Sequence, residues 1–447
     1  MRPNVYLYVV DSLRPDHVGC LTETGRNTPH LDRLCQDSVL FARAFSQATW
    51  SKPAASAILT GLYPASTETV FRRRRLPGNV PTMAKMLSAN GYETLGLSAN
   101  GFVIPHFGFG GGFDEFPTLQ EDPRFRTRVR IVPVGPDAHP SKSQPIITGA
   151  DLNTLLWEWR AERARTGSPG FAMLWSMDTH GPYFDRNALN QGGEIEHLHY
   201  PHMASVERQR VIELYRSMVR FADQCIGGFV EGLRSAGVYD DALVIVCSDH
   251  GEALGEHGLF GHAGYPFDEL VHVPLWIKFP GNRYGGRICT ALVELIDVLP
   301  TVLKSLGVSP DWPLQGHSLI PAIRGRPWGG RRWVYASGQA SERENRYAMV
   351  RGGSWKYIVM HDPSQPQMPG DWFFDLAVDP SEQQDLAQPK VVFPDKSRNP
   401  RLRYASWAAR KRQVDNRRYF ERYVGVAEDA EPEESVEGRL QALGYIE

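Results

Sequence analysis

The sequence predicts an α/β fold: a mostly parallel central sheet sandwiched by helices, with a smaller C-terminal α+β subdomain. Three observations carry this. The apolar runs Val5–Val10, Ala172–Met177 and Ala242–Cys247 each lead into an acidic residue, namely Asp11, Asp178 and, after Ser248, Asp249. Near-continuous apolar runs of this length fit strands covered on both faces. Between them lie helix-period stretches such as LYRSMVRFADQCIGGFVEGLRSAG. Beyond the helix start at Ile296–Thr301, the strand-like stretches RYAMVRGG, WKYIVMHD and WFFDL suggest a small antiparallel sheet with a covering helix.

At 447 residues the chain can build one large core and a smaller appended unit. We place a catalytic domain at 1–325, a small antiparallel-sheet subdomain at 326–390 and a tail at 391–447. The final helix of that tail, EGRLQALGYI, is expected to dock back through its leucines. The 42% apolar and 22% charged content is that of a folded chain. A formal net charge of −2 gives no global field toward nucleic acid or anionic lipid, so neither is expected as a partner. Nothing approaches the ~18 uninterrupted apolar residues of a membrane span. Five scattered cysteines, Cys20, Cys35, Cys225, Cys247 and Cys289, read as buried thiols. VYLYVV begins after only four residues, leaving no room for a signal peptide, and the expected location is cytoplasmic.

In chain order, the first candidate for chemistry is Asp11. A carboxylate at the end of a buried strand is costly unless a metal, an arginine such as Arg14 or a backbone cap satisfies it. Ser51 stands at a predicted N-cap, with Pro53 in the first turn and Gly61 and then Pro64 ending the helix. There its oxygen would face unpaired backbone N–H groups at the positive end of the helix, as either a cap or a nucleophile. The run Arg72–Arg75 reads as a solvated loop, with steering of an anionic substrate as the alternative. In MDTHGPY, His180 lies on a turn past a strand and is a candidate proton donor. SDHGEALGEHGLFGH offers Asp249 and His250 side by side to one cation, among glycines that permit close backbone approach. Open α/β sheets bind ligands at the carboxyl ends of their strands, so Asp11, Asp178 and Asp249 are expected to converge there.

In this order the stretches VDSLRPDHVGC, SKPAASAILTGLYP, MDTHGPY and SDHGEALGEHGLFGH resemble the sulfatase family of the alkaline phosphatase superfamily. ELIDVLPTVLKSLG, GHSL, WKYI and FFDLAVDPSEQQDL extend the likeness to the final LGYI. The resemblance implies an alkaline phosphatase-like fold. It implies that Asp11, Asp249 and His250 bind one divalent cation, with Ser51 completing the shell as nucleophile, and that His180 and His262 face the substrate. Ser12, Lys52 and Asn100 are the expected substrate-binding residues. The implied substrate is a small anionic sulfate or phosphate ester.

Departures from the family pattern sharpen this. Most sulfatases carry, at the Ser51 position, a cysteine converted to formylglycine, and an arginine at the Ala55 position; both are absent. A plain serine ester must be hydrolysed by water, a route familiar from phosphoryl-transfer relatives. Ser12 replaces a second aspartate and His250 an asparagine, as in the phosphonate and phosphate diesterase branch. Calcium or manganese is the expected cation, with zinc or iron as further options. A transferase passing the group from Ser51 to an alcohol and a non-catalytic binding protein are the competing functions.

Overall fold

The computed structural model describes residues 2–22, 27–119, 122, 130–133, 143–163, 167–187, 205–262, 264–325, 331–339, 346–361, 371–387, 400–425, 427, 429–430 and 436. The sheet strands are β1 (Val5–Val10), β2 (Val39–Phe45), β3 (Glu93–Ser98), β4 (Gly170–Ser176), β5 (Leu243–Cys247), β6 (His272–Lys278), β7 (Arg287–Cys289) and β8 (Val293–Glu294). Their order is β7-β2-β6-β5-β1-β4-β3, with β8 also paired to β2. Only β6 runs antiparallel to its neighbours, β2 and β5. The expected mostly parallel sheet is therefore observed.

Strand β1 shows why the sheet is buried on both sides. Its residues alternate faces, as a strand requires. Val5, Leu7 and Val9 pack in one core with Ala55, Ile58 and Leu59 of α2 (Ser51–Thr60), with α3 (Met83–Ser88) and with α6 (Val298–Leu306). Tyr6, Tyr8 and Val10 enter a second core with α1 (Pro29–Asp37), α4 (Gly149–Arg163) and α5 (Ser205–Ser235). All six are fully buried.

The smaller unit is an antiparallel sheet of β9 (Val334–Gln339), β10 (Arg346–Arg351), β11 (Trp355–His361) and β12 (Asp371–Asp375), in that order. The helix α7 (Pro400–Tyr419) covers it through Leu402, Ala405, Ala408 and Ala409. The predicted docking of EGRLQALGYI falls outside the described residues. Among the described residues no helix is long and apolar enough to cross a membrane.

This topology determines where chemistry can occur. β5, β1 and β4 are adjacent and parallel, with Val10 opposite Ser176 and Val9 opposite Cys247. The residues that follow their carboxyl ends thus emerge side by side at one edge of the sheet.

Candidate metal centre and nucleophile

Asp11 follows β1, and its backbone N–H is tied to the Ser176 carbonyl at 2.9 Å. Asp249 and His250 follow β5. One ligand atom from each of Asp11, Asp249 and His250 falls within 4.8 Å of the others, and all three residues are fully buried. The Ser51 hydroxyl is 3.0 Å from Asp11 Oδ2 and 3.3 Å from His250 Nε2. These four residues come from three separate segments, joined by the sheet order.

The donor set suits a cation. Asp249 Oδ2 is buried without a hydrogen-bond partner among the described residues. His250 Nδ1 lies 2.8 Å from the Gly251 carbonyl, which can only accept, so the proton sits on Nδ1 and the lone pair on Nε2. That lone pair faces Asp249 Oδ2 at 3.3 Å and Asp11 Oδ1 at 3.5 Å. Three electron-rich atoms turned toward one another in a dry interior repel unless a positive charge lies among them. Burial, and then the charge of Asp11, pushes the Asp249 carboxyl well above the usual carboxylate range. Burial opposes ionisation of Asp11 too, but His250, His180, His262 and the Trp175 N–H hold it below its usual value.

The surroundings fix these ligands. Asp11 Oδ2 accepts from Asn100 Nδ2 at 2.8 Å and Trp175 Nε1 at 3.0 Å, besides Ser51. Ser12 sits at φ 64°, donating its N–H to Asp249 Oδ1 and its hydroxyl to Asp11 Oδ1, each at 3.2 Å. Tyr215 of α5 donates to the Ser12 carbonyl at 2.6 Å. Arg14 does not pair with Asp11. It bonds Asp16, Glu256 and the Glu252 carbonyl, joining the loop after β1 to the loop after β5.

His180 and His262 stand beside this cluster. The His262 ring centroid is 4.6 Å from that of His250 and 4.7 Å from that of His180. His180 Nδ1 meets the Gly181 carbonyl at 2.6 Å, and His262 Nδ1 meets Glu252 Oε1 at 3.1 Å. Burial, and then the neighbouring histidine, pushes His180 down to about 4. Burial, then His250, with a smaller push from Arg72, brings His262 down to about 3.

Four sequence expectations need correction. Ser51 is the first residue of α2 and Trp50 its N-cap, with no side-chain cap bond, so Ser51 is one position inside the predicted cap. Gly61 does end the helix, at φ 66°. Asp178 does not join Asp11 and Asp249: its carboxylate accepts from Ser176 Oγ at 2.6 Å and from the Gly149 N–H at 2.9 Å, at the start of α4. Lys52 does not present an ammonium to substrate, because its Nζ donates to the Phe71, Arg72 and Arg74 carbonyls at 2.8, 2.5 and 2.6 Å. For the same reason Arg72–Arg75 is not a freely solvated loop: its backbone is strapped to a buried lysine, and Arg72, Arg74 and Arg75 are half-buried while Arg73 is exposed.

Sequence reasoning missed Glu252, Trp175 and Tyr215. Glu252 lay within a recognised loop, three residues past Asp249, and its fully buried carboxylate holds His262. Trp175 and Tyr215 read as core residues by pattern, and nothing in the sequence marks their polar tips.

The profile of the sulfatase family, described as Sulfatase, matches residues 3–308, and that of N-sulphoglucosamine sulphohydrolase, C-terminal, matches 255–394. A multifunctional alkaline phosphatase superfamily protein, PehA, of Trinickia caryophylli is 27% identical over 86% of this chain and 91% of its own length. A choline-sulfatase of Rhizobium meliloti is 24% identical over 87% and 83%. Among solved structures, the phosphonate monoester hydrolase of Agrobacterium radiobacter superposes with a TM-score of 0.71 at 21% identity, covering 94% of this chain and 96% of that one. A 2-O GAG sulfatase does so with a TM-score of 0.70 at 19% identity, over 97% and 96%. With two thirds of its length matched by the family profile, this chain belongs to the sulfatase family and is an ester hydrolase.

Proposed function

We propose that the chain hydrolyses a small anionic sulfate or phosphate ester by attack of an unmodified Ser51, with one divalent cation held by Asp11, Asp249, His250 and Ser51. The observation that carries this reading is the Ser51 hydroxyl, 3.0 Å from Asp11 Oδ2 and 3.3 Å from His250 Nε2 at the carboxyl edge of the sheet. When bound, the cation supplies Lewis acidity, favouring the deprotonated serine and neutralising charge on a nonbridging ester oxygen. Calcium and manganese lead, with zinc or iron as further options; the imidazole in the donor set favours the transition metals.

The chain's own residues do the rest. The O–H of Ser51 points to Asp11 Oδ2, so its lone pairs are left for the ester. Attack forms a serine ester and breaks the bond to the leaving alcohol: the Ser51 proton passes to water, and the leaving oxygen takes a proton from His180 or His262, which acquires it from water when the anionic ester binds. Both are neutral at rest, and the negative charge of an incoming ester raises their pKa values toward the donor range. Water then hydrolyses the serine ester. Ser12 and Asn100 act through the Asp11 carboxylate that they bond. Five unpaired cysteines support a reducing compartment such as the cytoplasm.

A screen of aryl sulfate, phosphate monoester, phosphate diester and phosphonate ester with added manganese, calcium, zinc and iron tests the reading, coupled to peptide mass analysis of residue 51. We expect metal-dependent turnover and, on quenching, a phosphorylated or sulfated Ser51. Turnover unchanged in Ser51→Ala would overturn it. Formylglycine at position 51 would overturn the unmodified serine.

A further inference from the structure

Ser51 is the first residue of α2, and Trp50 before it offers no side-chain bond to cap the helix. The first turn of an uncapped helix frays, and fraying here would move the nucleophile. The position of Ser51 therefore depends on what holds the chain on either side of it. After Ser51, the fully buried Lys52 is bonded to the carbonyls of Phe71, Arg72 and Arg74. Before it, the anchor comes from the small C-terminal sheet. The hydroxyl of Tyr347, a buried residue of β10, lies 3.0 Å from the Thr49 nitrogen and 3.0 Å from Thr49 Oγ1. Thr49 Oγ1 is in turn 3.3 Å from the Gly264 carbonyl. A carbonyl only accepts, so the Thr49 hydroxyl donates to Gly264, the Tyr347 hydroxyl donates to Thr49 Oγ1, and the Tyr347 oxygen accepts the Thr49 N–H. Gly264 stands two residues past His262. One chain of hydrogen bonds thus ties the small sheet to the segment before the nucleophile and to the segment after His262.

The small sheet makes room for this phenol. Gly338 of β9 is paired opposite Tyr347, and a Cβ there would lie 2.7 Å from the Tyr347 hydroxyl oxygen. The adjacent Ser337 adds a second tie, its N–H donating to the Gln47 carbonyl at 3.0 Å. The Tyr347 ring packs in a core with Phe45, Val334 and Met349. Phenylalanine would fill that core as well, so packing does not account for the hydroxyl.

Building on the hydrolase reading above, we propose that Tyr347 and Thr49 are positioning residues for the reaction, through which the small sheet holds Ser51 and His262 at a fixed separation. The attacking oxygen and the group that protonates the leaving oxygen must face the ester together, and a displacement of either is felt in the chemical step. The loss therefore falls on kcat. Asp11, Asp249 and His250 are held by other bonds, so metal content is retained.

The test compares full-length wild type with Tyr347→Phe, Thr49→Val, the Tyr347→Phe/Thr49→Val pair, Thr49→Ser and Val230→Ala, a truncation in the second core away from this chain of bonds. Steady-state kinetics with added metal are read on an aryl phosphate monoester and an aryl sulfate, well below every Tm. We expect Tyr347→Phe and Thr49→Val each to lower kcat by about 10-fold, with KM within about twofold of wild type. The paired variant should lose less than the product of the two single losses, because both break the same chain of bonds. Thr49→Ser should keep most of the activity, and Val230→Ala should lower Tm with kcat unchanged. An unchanged kcat in Tyr347→Phe, or an equal fall in Val230→Ala, would overturn the positioning role. Hydrogen exchange over residues 45–60, measured on the same proteins, does not depend on turnover. It should quicken in Tyr347→Phe and not in Val230→Ala, and unchanged exchange there would also overturn the proposal. If wild type turned over neither ester, the hydrolase reading would fail, and hydrogen exchange alone would decide whether Tyr347 anchors the segment before Ser51.

Discussion

Asp249 Oδ2 and His250 Nε2 illustrate why individual atoms, more than residue types, define this site. Each is buried, and each points an electron pair at the same small volume. Ser51→Ala removes the oxygen that completes this set while leaving a helix former at the first helical position. Its turnover should fall by about a thousandfold or more, as for loss of a nucleophile, with an unchanged circular dichroism spectrum. Glu252→Gln tests the support of His262: the carboxylate is fully buried, and its loss should lower kcat by about 10-fold or more with metal content retained. Much of this site was legible in the sequence, because an acidic residue at the end of a buried strand has few stable explanations. Asp178 shows where that logic stops. It meets the same pattern but spends its carboxylate on Ser176 and Gly149, a choice made by the packing of α4. Lys52 was misread for a similar reason: its neighbourhood in sequence is the nucleophile, while its ammonium reaches a loop some twenty residues on.

At the scale of elements, the loop between β5 and β6 is held by close backbone approach. A Cβ on Gly251 would lie 2.0 Å from the Glu269 carbonyl oxygen, and the Gly251 carbonyl itself orients His250. Gly251→Ala should therefore cost about 1–3 kcal/mol by overpacking and weaken metal binding together with stability, seen as a lowered Tm and a lower metal content. Nearby, Asp268 joins this loop region to the small sheet, bonding Lys356 at 2.8 Å and Arg351 at 2.9 Å. Burial acts against its charge, but Lys356 and Arg351 prevail and hold its carboxyl below the usual value. A depressed folded-state pKa stabilises the fold above the unfolded value, near ~3.9, and that contribution is lost as pH falls below it. Asp268→Asn should lower stability at pH 7 and flatten the acid limb of a Tm-against-pH curve below about pH 4. A curve parallel to that of wild type would contradict this assignment. Strand positions were predictable here to within a residue or two, since RYAMVRGG and WKYIVMHD are short runs rich in aromatic and aliphatic residues, set off by the glycines between them; their link to Asp268 was not, because ion pairs some 80 residues apart leave no periodic trace.

For the whole molecule, the site exists because β5, β1 and β4 lie side by side, bringing Asp11 and Asp249, 238 positions apart, to one edge of the sheet. A cation bound there crosslinks distant parts of the chain and should stabilise the folded state by about 2.7 kcal/mol at a hundredfold excess over its Kd. Tm should accordingly rise with added metal for wild type and stay flat for Asp249→Asn. The most direct test of the account is anomalous diffraction from crystals of the wild-type chain loaded with manganese. The account predicts one strong peak within about 2.0–2.4 Å of carboxylate oxygens of Asp11 and Asp249, His250 Nε2 and Ser51 Oγ. A peak elsewhere, with Ser51 Oγ turned from those ligands, would contradict it.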